Sequence, residues 1–315
     1  MTLDTMLSSL YRKLGYQSTP SVEVHDRLAG FVNEMHRRLM GLPGMGLLRQ
    51  GQLTFTTVAS TPQYSLPQDV ARVIGMRDGS NDAVLRGVPW EWYLAHEPDP
   101  TSTTGTPECW APAGFSAVAS PPADASKLYV DSTSASDTDT CYIEGIRTGG
   151  YPFSSSVTMT GTTAVQVGSF TDIIAVTKFY LSANAVGTVT LHEDADGGTE
   201  LARIPIGQSS ARYLRVALWP CPSSAITLTL DYMRQVPDML APYDEPWIPT
   251  DFHWVIEAGA KMLEYEKQDD RRYPAARAEY EKGVRDLKWF VCQQADGGDA
   301  TAGRSQLGPW YPAGS

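Results

Sequence analysis

The sequence contains no apolar run approaching the roughly 18 residues that a membrane-spanning helix requires. Its first residues, Met1 to Thr5, also lack the basic region and the apolar stretch of a secretory signal peptide. We therefore expect synthesis in the cytosol and no membrane partner.

Cysteine is scarce. The four cysteines are scattered without any CxxC spacing, which disfavours a zinc ribbon and a disulfide framework. We expect all four to be reduced thiols that act as small hydrophobic side chains: Cys109, Cys141, Cys221 and Cys292.

The usual signatures of catalysis are missing as well. The chain has no P-loop, no GxGxxG, no HExxH and no GxSxG. His25 and His36 lie eleven residues apart, too far along one predicted helix for a metal pair, and the run His192 to Gly197 lacks the spacing of an EF-hand loop. We predict a protein that is not an enzyme and has no cofactor and no metal.

Positive charge is also in short supply, since the formal net charge is −11. Sequence-wide affinity for nucleic acid needs lysine and arginine to neutralise phosphates, so the balance disfavours a DNA-binding protein. It leaves room for a surface past which DNA slides without binding.

What the sequence does contain is a change of hydrophobic period within residues 226–294. Apolar and polar residues alternate from Ile226 to Leu230, which predicts a half-buried strand. After an acidic, proline-rich turn a helical stripe begins, with Thr250 as predicted N-cap. A second helix is predicted from near Pro274.

Two further helices are predicted at the other end of the chain. One covers Leu3 to Leu14 with Gly15 as C-cap, and one opens at Thr19-Pro20. Two C-terminal helices cannot bury both of their apolar stripes by themselves, and the N-terminal helices are the available partners. We predict an α+β fold: the N- and C-terminal helices form one helical bundle, with an antiparallel β domain between them.

Strand-like runs recur every 8–12 residues or so between Thr148 and Ser224, which is typical of a small sandwich. The flanking sequences form a continuous pattern without this block, so we interpret it as an insertion. The predicted parts are a discontinuous core of residues 1–147 and 225–295, an inserted all-β, Ig-like sandwich over 148–224, and an extended C-terminal arm over 296–315.

The arm is rich in Gly, Pro and Ala and shows no periodicity, which is typical of a disordered tail. It nevertheless carries two aromatic residues near its end. We interpret it as a flexible segment that docks on a partner, with Leu307, Pro309, Trp310 and Tyr311 as the predicted contact residues.

Several motifs occur in a characteristic order. A glycine-rich turn after the N-terminal helices leads to a Thr-rich strand and to the segment Tyr64 to Asp69. The loop Pro98 to Pro107, then Val236-Pro237, then Pro246 to His253 follow ahead of the helix pair. This order resembles the head-to-tail adaptor proteins of tailed bacteriophages, the connector or tail tubular gatekeeper-like proteins, over roughly residues 20–150 and 225–292.

The resemblance implies a structural virion protein of the phage neck. Such adaptors form a homo-oligomeric ring, expected here to be a dodecamer, that binds the portal protein above and a tail or nozzle protein below. The C-terminal arm would reach into the portal. The ring would surround the exit channel for double-stranded DNA, and a net negative wall would let DNA pass without sequence-specific binding.

Two alternative functions stay open. The inserted block and the aromatics Trp90 and Trp92 could form the surface of a carbohydrate- or receptor-binding tail component, although a packed aromatic core is the better interpretation. A virion-associated cell-wall hydrolase would need paired carboxylates such as Glu91, Glu97 or Asp99.

Overall fold

The computed structural model describes residues 1–18, 20–97, 99, 101–123, 125–194 and 198–295. Within them the chain is α+β. The α-helices are α1 (Leu3–Leu14), α2 (Val22–Met40), α3 (Trp90–His96), α4 (His253–Lys267) and α5 (Tyr273–Ala295), with short 3-10 helices at Met45–Arg49 and Thr250–Phe252.

The strands lie between α2 and α4. They are β1 (Gln50–Thr56), β2 (Gln63–Ser65), β3 (Val70–Asp78), β4 (Ala83–Gly87), β5 (Thr104–Gly105), β6 (Cys109–Ser116), β7 (Leu128–Ser132), β8 (Thr140–Arg147), β9 (Tyr151–Thr158), β10 (Val165–Gln166), β11 (Ile173–Leu181), β12 (Val189–Glu193), β13 (Glu200–Ile204), β14 (Tyr213–Trp219), β15 (Cys221–Pro222) and β16 (Thr227–Arg234).

The chain divides into two compact units. The first consists of residues 1–49 with the described residues from 236 onward, and the second consists of residues 50–235. The first unit contains α1, α2, α4 and α5, whereas every strand and α3 belong to the second.

Local signals explain both ends of α1. The Thr2 side chain accepts the Thr5 N–H at the start of α1, and Gly15 ends the helix at a φ of 80°, a left-handed conformation that glycine adopts readily. The predicted start of α2 differs, because Ser21 is the N-cap and the helix begins at Val22. Thr19 lies outside the described residues. Thr250 opens a 3-10 turn, so α4 begins only at His253.

Helices from both ends of the chain share one apolar cluster, because each has an apolar stripe that water would otherwise cover. The cluster combines buried residues of α1, α2, α4 and α5. Its most deeply buried members include Met6, Leu10, Leu28, Met35, Leu39, Val255, Ile256, Leu287 and Val291.

The second unit contains a seven-stranded sheet in the order β1-β16-β3-β4-β6-β14-β2. The strand β16, predicted from the alternation at Ile226 to Leu230, lies between β1 and β3 and pairs antiparallel with both. Leu228 and Leu230 point into this sheet's apolar cluster, together with Met76 and Val216. The pair β4 and β6 is parallel, in contrast to the other pairs of this sheet.

Two further sheets of the second unit share a second apolar cluster. Their orders are β10-β7-β12-β13 and β11-β8-β9. The predicted boundary at residue 148 falls inside this group, because β8 pairs with β9 along its whole length and β7 pairs with β12. The members of this cluster run from Ala117 to Tyr213, so the cluster begins upstream of the predicted block 148–224.

A short helix in the second unit was not predicted. The aromatic segment after Pro89, which was predicted only as a packed aromatic core, forms α3. Seven residues are too few for the apolar period of a helix to become visible. Within the described ranges, none of the helices has the length and apolar character needed to cross a membrane.

Close helix packing in the first unit depends on a glycine. A methyl group at Gly259 of α4 would lie 2.5 Å from the Met35 sulfur of α2 and 3.0 Å from the Tyr280 ring of α5. Gly30 of α2 has open space around its Cα and is exposed. The same substitution should therefore have opposite effects at these two helical positions.

We predict that Gly259→Ala lowers the free energy of unfolding by about 1–3 kcal/mol, because the added methyl overpacks the interface. Gly30→Ala should raise it by about 0.5–1 kcal/mol through helix propensity alone. Urea unfolding of both variants, followed by circular dichroism, checks this. Equal shifts in both would contradict the described packing.

Candidate functional site

The residues predicted to contact a partner lie outside the described part of the chain. Leu307, Pro309, Trp310 and Tyr311 belong to the predicted arm, residues 296–315, which follows the last described residue. The arm therefore stays a prediction.

The aromatic cluster around α3 packs largely on itself. Trp90 stacks on Tyr93 with centroids 5.1 Å apart, and Trp92 stacks on His96 at 3.8 Å. Trp219 meets Trp92 edge to face at 5.5 Å. Both Trp90 and Trp92 are half-buried. Their faces are thus largely covered by neighbouring rings, which leaves little free platform for a sugar.

The carboxylates near this cluster differ in environment. Glu97 is buried and accepts hydrogen bonds from the Ser102 hydroxyl at 2.6 Å and the Trp219 indole N–H at 3.0 Å. Glu91 and Asp99 are exposed. Burial, and then the nearby Glu97 charge, raise the pKa of Tyr93 to about 12. Because both of its carboxylate oxygens accept hydrogen bonds, Glu97 fixes the turn after α3.

The cysteines are free thiols, of which Cys109, Cys141 and Cys221 are buried and Cys292 is exposed. Burial raises the pKa of Cys141 to about 12, so this thiol stays protonated at neutral pH. Cys292 differs from the predicted structural role, since it lies on the outer face of α5. No group of three or more potential metal ligands comes together among the residues that the structure describes.

The first unit buries a charged network between α2 and α4. Glu264 is fully buried and accepts hydrogen bonds from Arg27 at 2.9 and 3.0 Å. Tyr16 and Gln268 each donate a further hydrogen bond of 2.6 Å to the same carboxylate. Burial raises the pKa of Glu264, but these donors outweigh it, so the pKa is lowered overall.

A second buried carboxylate links α4 to α1. Glu257 accepts a hydrogen bond of 2.9 Å from Ser9 and forms an ion pair with Lys13. The two glutamates lie seven residues apart, on one side of α4, and each is met by residues from the N-terminal part of the chain. Their hydrogen bonds require one specific arrangement of the helices, in contrast to the apolar contacts around them.

The segment 236–247, here called the acidic loop, is fixed on α2 by side chains. Asn33 exchanges two hydrogen bonds with the backbone of Met239, at 2.8 and 3.0 Å. Asp244 accepts the N–H groups of Leu240 and Ala241 at 2.7 and 2.8 Å. Arg37 forms an ion pair with Asp238. The loop thus has a defined conformation although it carries no regular secondary structure.

His36 completes this attachment. The side chain is 1% exposed, and its Nε2 accepts the Trp247 N–H at 3.2 Å. Because Nε2 is an acceptor, the neutral ring carries its proton on Nδ1, and Nδ1 has no partner among the described residues. Burial lowers the pKa of His36 to about 4. His36 is thus buried beneath the acidic loop.

The outer side of the acidic loop is apolar as well as acidic. Tyr243 is 78% exposed and Leu240 is 52% exposed. Asp4 lies beside them, since its N–H donates to the carbonyl of Pro242, and its exposed side chain forms no ion pair with a described residue. Large exposed apolar side chains of this kind are typical of an interaction surface.

The outer face of α5 has the opposite charge. Gly283 packs against Trp254 and Val255 of α4, so residues on the other side of α5 face outward. We call these residues the basic stripe: Lys282, Arg285, Trp289 and Cys292. Trp289 is 65% exposed, and neither cation of the stripe forms an ion pair with a described residue. Asp286, also exposed, offsets part of this charge.

We predict that Glu264→Gln lowers the free energy of unfolding by about 3 kcal/mol, because it leaves the largely buried Arg27 with only the exposed Glu23, 4.0 Å away, as a counter-charge. The matched control is Glu266→Gln, an exposed position on the same helix, which should change stability by less than about 0.5 kcal/mol. Chemical denaturation measures both values. A loss as small for position 264 as for position 266 would contradict the role of the network.

We also predict a pH dependence from His36. Its pKa is about 4 in the folded protein and 6.5 when unfolded, so the unfolded state binds more protons between these values. The contribution is complete above pH 6.5 and is lost as the pH falls toward 4, by about 3 kcal/mol. In His36→Gln, which keeps an acceptor for Trp247, the urea midpoint should fall less over this range. An unchanged slope would refute the assignment.

The N-terminal part of the chain is similar to a known protein family. A family model described as SU10 adaptor protein matches residues 1–143, which is somewhat under half of the chain. A search of curated proteins finds no match. The matched part contains α1, α2, α3 and the strands β1 to β8 up to Ile143. The match supports a phage adaptor family for this chain.

Proposed function

We propose that this protein is a structural component of a tailed-phage neck: a head-to-tail adaptor that forms a ring, docks under the portal and lines the DNA exit channel. The observation that carries the proposal is the match of residues 1–143 to the SU10 adaptor protein family. The order of motifs that resembles the adaptors also includes residues 225–292, which lie outside the matched part.

On this proposal the four helices of the first unit form a bundle that packs against the portal. The shared apolar cluster of α1, α2, α4 and α5 supports a bundle. The two sheets around the second apolar cluster of the second unit would form the inserted Ig-like sandwich. Tail or nozzle protein would bind the ring on the side away from the portal.

The charge of the chain supports a conduit. A ring of copies that each carry −11 would repel the phosphate backbone, so double-stranded DNA would pass without adhering to the wall. No residue is catalytic on this proposal, and the chain needs no cofactor. Two observations support this choice over a glycan-binding or hydrolytic role: the rings of Trp90 and Trp92 are packed, and Glu97 is hydrogen-bonded.

The terminal arm is proposed to reach into the portal. Trp310 and Tyr311 would supply apolar anchors of the kind that dominate protein interfaces, because aromatic side chains bury much area for little lost conformational freedom. The rest of the arm, which is rich in small residues, would act as the tether.

We predict that the full-length protein binds purified portal rings with a defined stoichiometry and that removal of Gln306 to Ser315 weakens binding at least tenfold. Trp310→Ala with Tyr311→Ala should give most of that loss, whereas removal of Gly314 and Ser315 alone should not. Analytical ultracentrifugation of the mixtures measures the change. A folded full-length sample that ignores the portal, with no effect of the deletion, would end the proposal.

A further inference from the structure

We propose that the acidic loop of one copy binds the basic stripe of α5 of a second copy, as the contact that joins neighbouring subunits. The proposal rests on the proposed function, because it names the contact by which that ring would form. The acidic loop of each copy thus binds the basic stripe of one neighbouring copy, and its own basic stripe binds the acidic loop of another.

The two surfaces are complementary in charge and similar in character. Around the acidic loop lie the carboxylates of Asp4, Asp238, Asp244 and Glu245, against the cations of Arg37 and the N-terminal ammonium. The basic stripe contributes Lys282 and Arg285, and the neighbouring Asp286 offsets one of these charges. Each surface also exposes a large aromatic side chain, Tyr243 on one and Trp289 on the other. Aromatic and arginine side chains are enriched at the centres of interfaces.

The two surfaces cannot meet within one molecule, because they lie on different sides of α2. Asn33 and Arg37 of α2 contact the acidic loop. Met35 packs against Gly259 and lies on the side of α4 and α5. With about 3.6 residues per turn, a residue two positions away points to the opposite side of a helix. The surfaces are therefore available to two different neighbours.

A contact between two different surfaces repeats from copy to copy. It closes into a ring when the rotation between neighbours permits and otherwise gives an open filament. A symmetric contact between identical surfaces would stop at a dimer. The complementary placement of charge thus favours the kind of interface that a ring requires.

Cross-linking between cysteines tests the contact. Cys292 already lies on the basic stripe, and the other three cysteines are buried. Leu240→Cys and, separately, Tyr243→Cys place a second thiol on the acidic loop. With a short bis-maleimide under native conditions, we expect a ladder of covalent oligomers for either variant, at least tenfold above the wild type.

Two controls define the result. Val22, at the start of α2, is about as exposed as Tyr243, and Val22→Cys should give no ladder. Leu240→Cys with Cys292→Ser should also give none. Covalent dimers without higher species would indicate a symmetric contact and overturn the proposal, as would a ladder of equal strength from Val22→Cys.

Charge reversal provides an independent test. Lys282→Glu with Arg285→Glu, or Asp4→Lys with Glu245→Lys, should each lower self-association at least tenfold in native mass spectrometry. All four changes together should restore it. If rings persist in both reversed variants and no ladder forms, this contact is wrong while the neck assignment stands. If the folded protein neither self-associates nor binds portal, both fall.

Discussion

The burial of four amphipathic helices from opposite ends of the chain is the constraint on which the rest of this structure depends. None of these helices has a face that one neighbour could cover completely, so α1 and α2 must meet α4 and α5. More than 180 residues separate the end of α2 from the start of α4, and the strands of the second unit fill that interval. The first unit therefore completes its core only after the whole β region has been made.

Apolar burial alone would allow several arrangements of four helices, and the polar groups select among them. Glu264 and Glu257 are paired with residues of the N-terminal part of the chain, and Asn33 holds the acidic loop through two backbone hydrogen bonds. A shift of one helix by a turn would leave these buried groups without partners, which is costly. Asn33 also fixes the acidic loop that carries Leu240 and Tyr243, the exposed residues that the proposed contact needs.

The sequence patterns predicted the elements of this fold better than its divisions. The helix over Leu3–Leu14 with Gly15 as its cap, the strand β16 and the start of α5 near Pro274 follow from periodicity and capping, which are local properties. The strand pairing across residue 148 could not be predicted, because pairing joins segments that are distant in sequence. The buried state of His36 and the roles of Glu257 and Glu264 also depend on partners elsewhere in the chain. An acidic or basic residue in an amphipathic pattern does not show whether a counter-charge from another helix will cover it.

The proposed function depends on contact surfaces and not on a reactive centre, so its most direct test is to locate the chain in the particle. Electron microscopy of the intact virion should show a ring of copies between portal and tail, with the acidic loop of each copy against α5 of the next. The protein found at a fibre tip or on the capsid, or present as single copies without neighbours, would contradict the neck assignment.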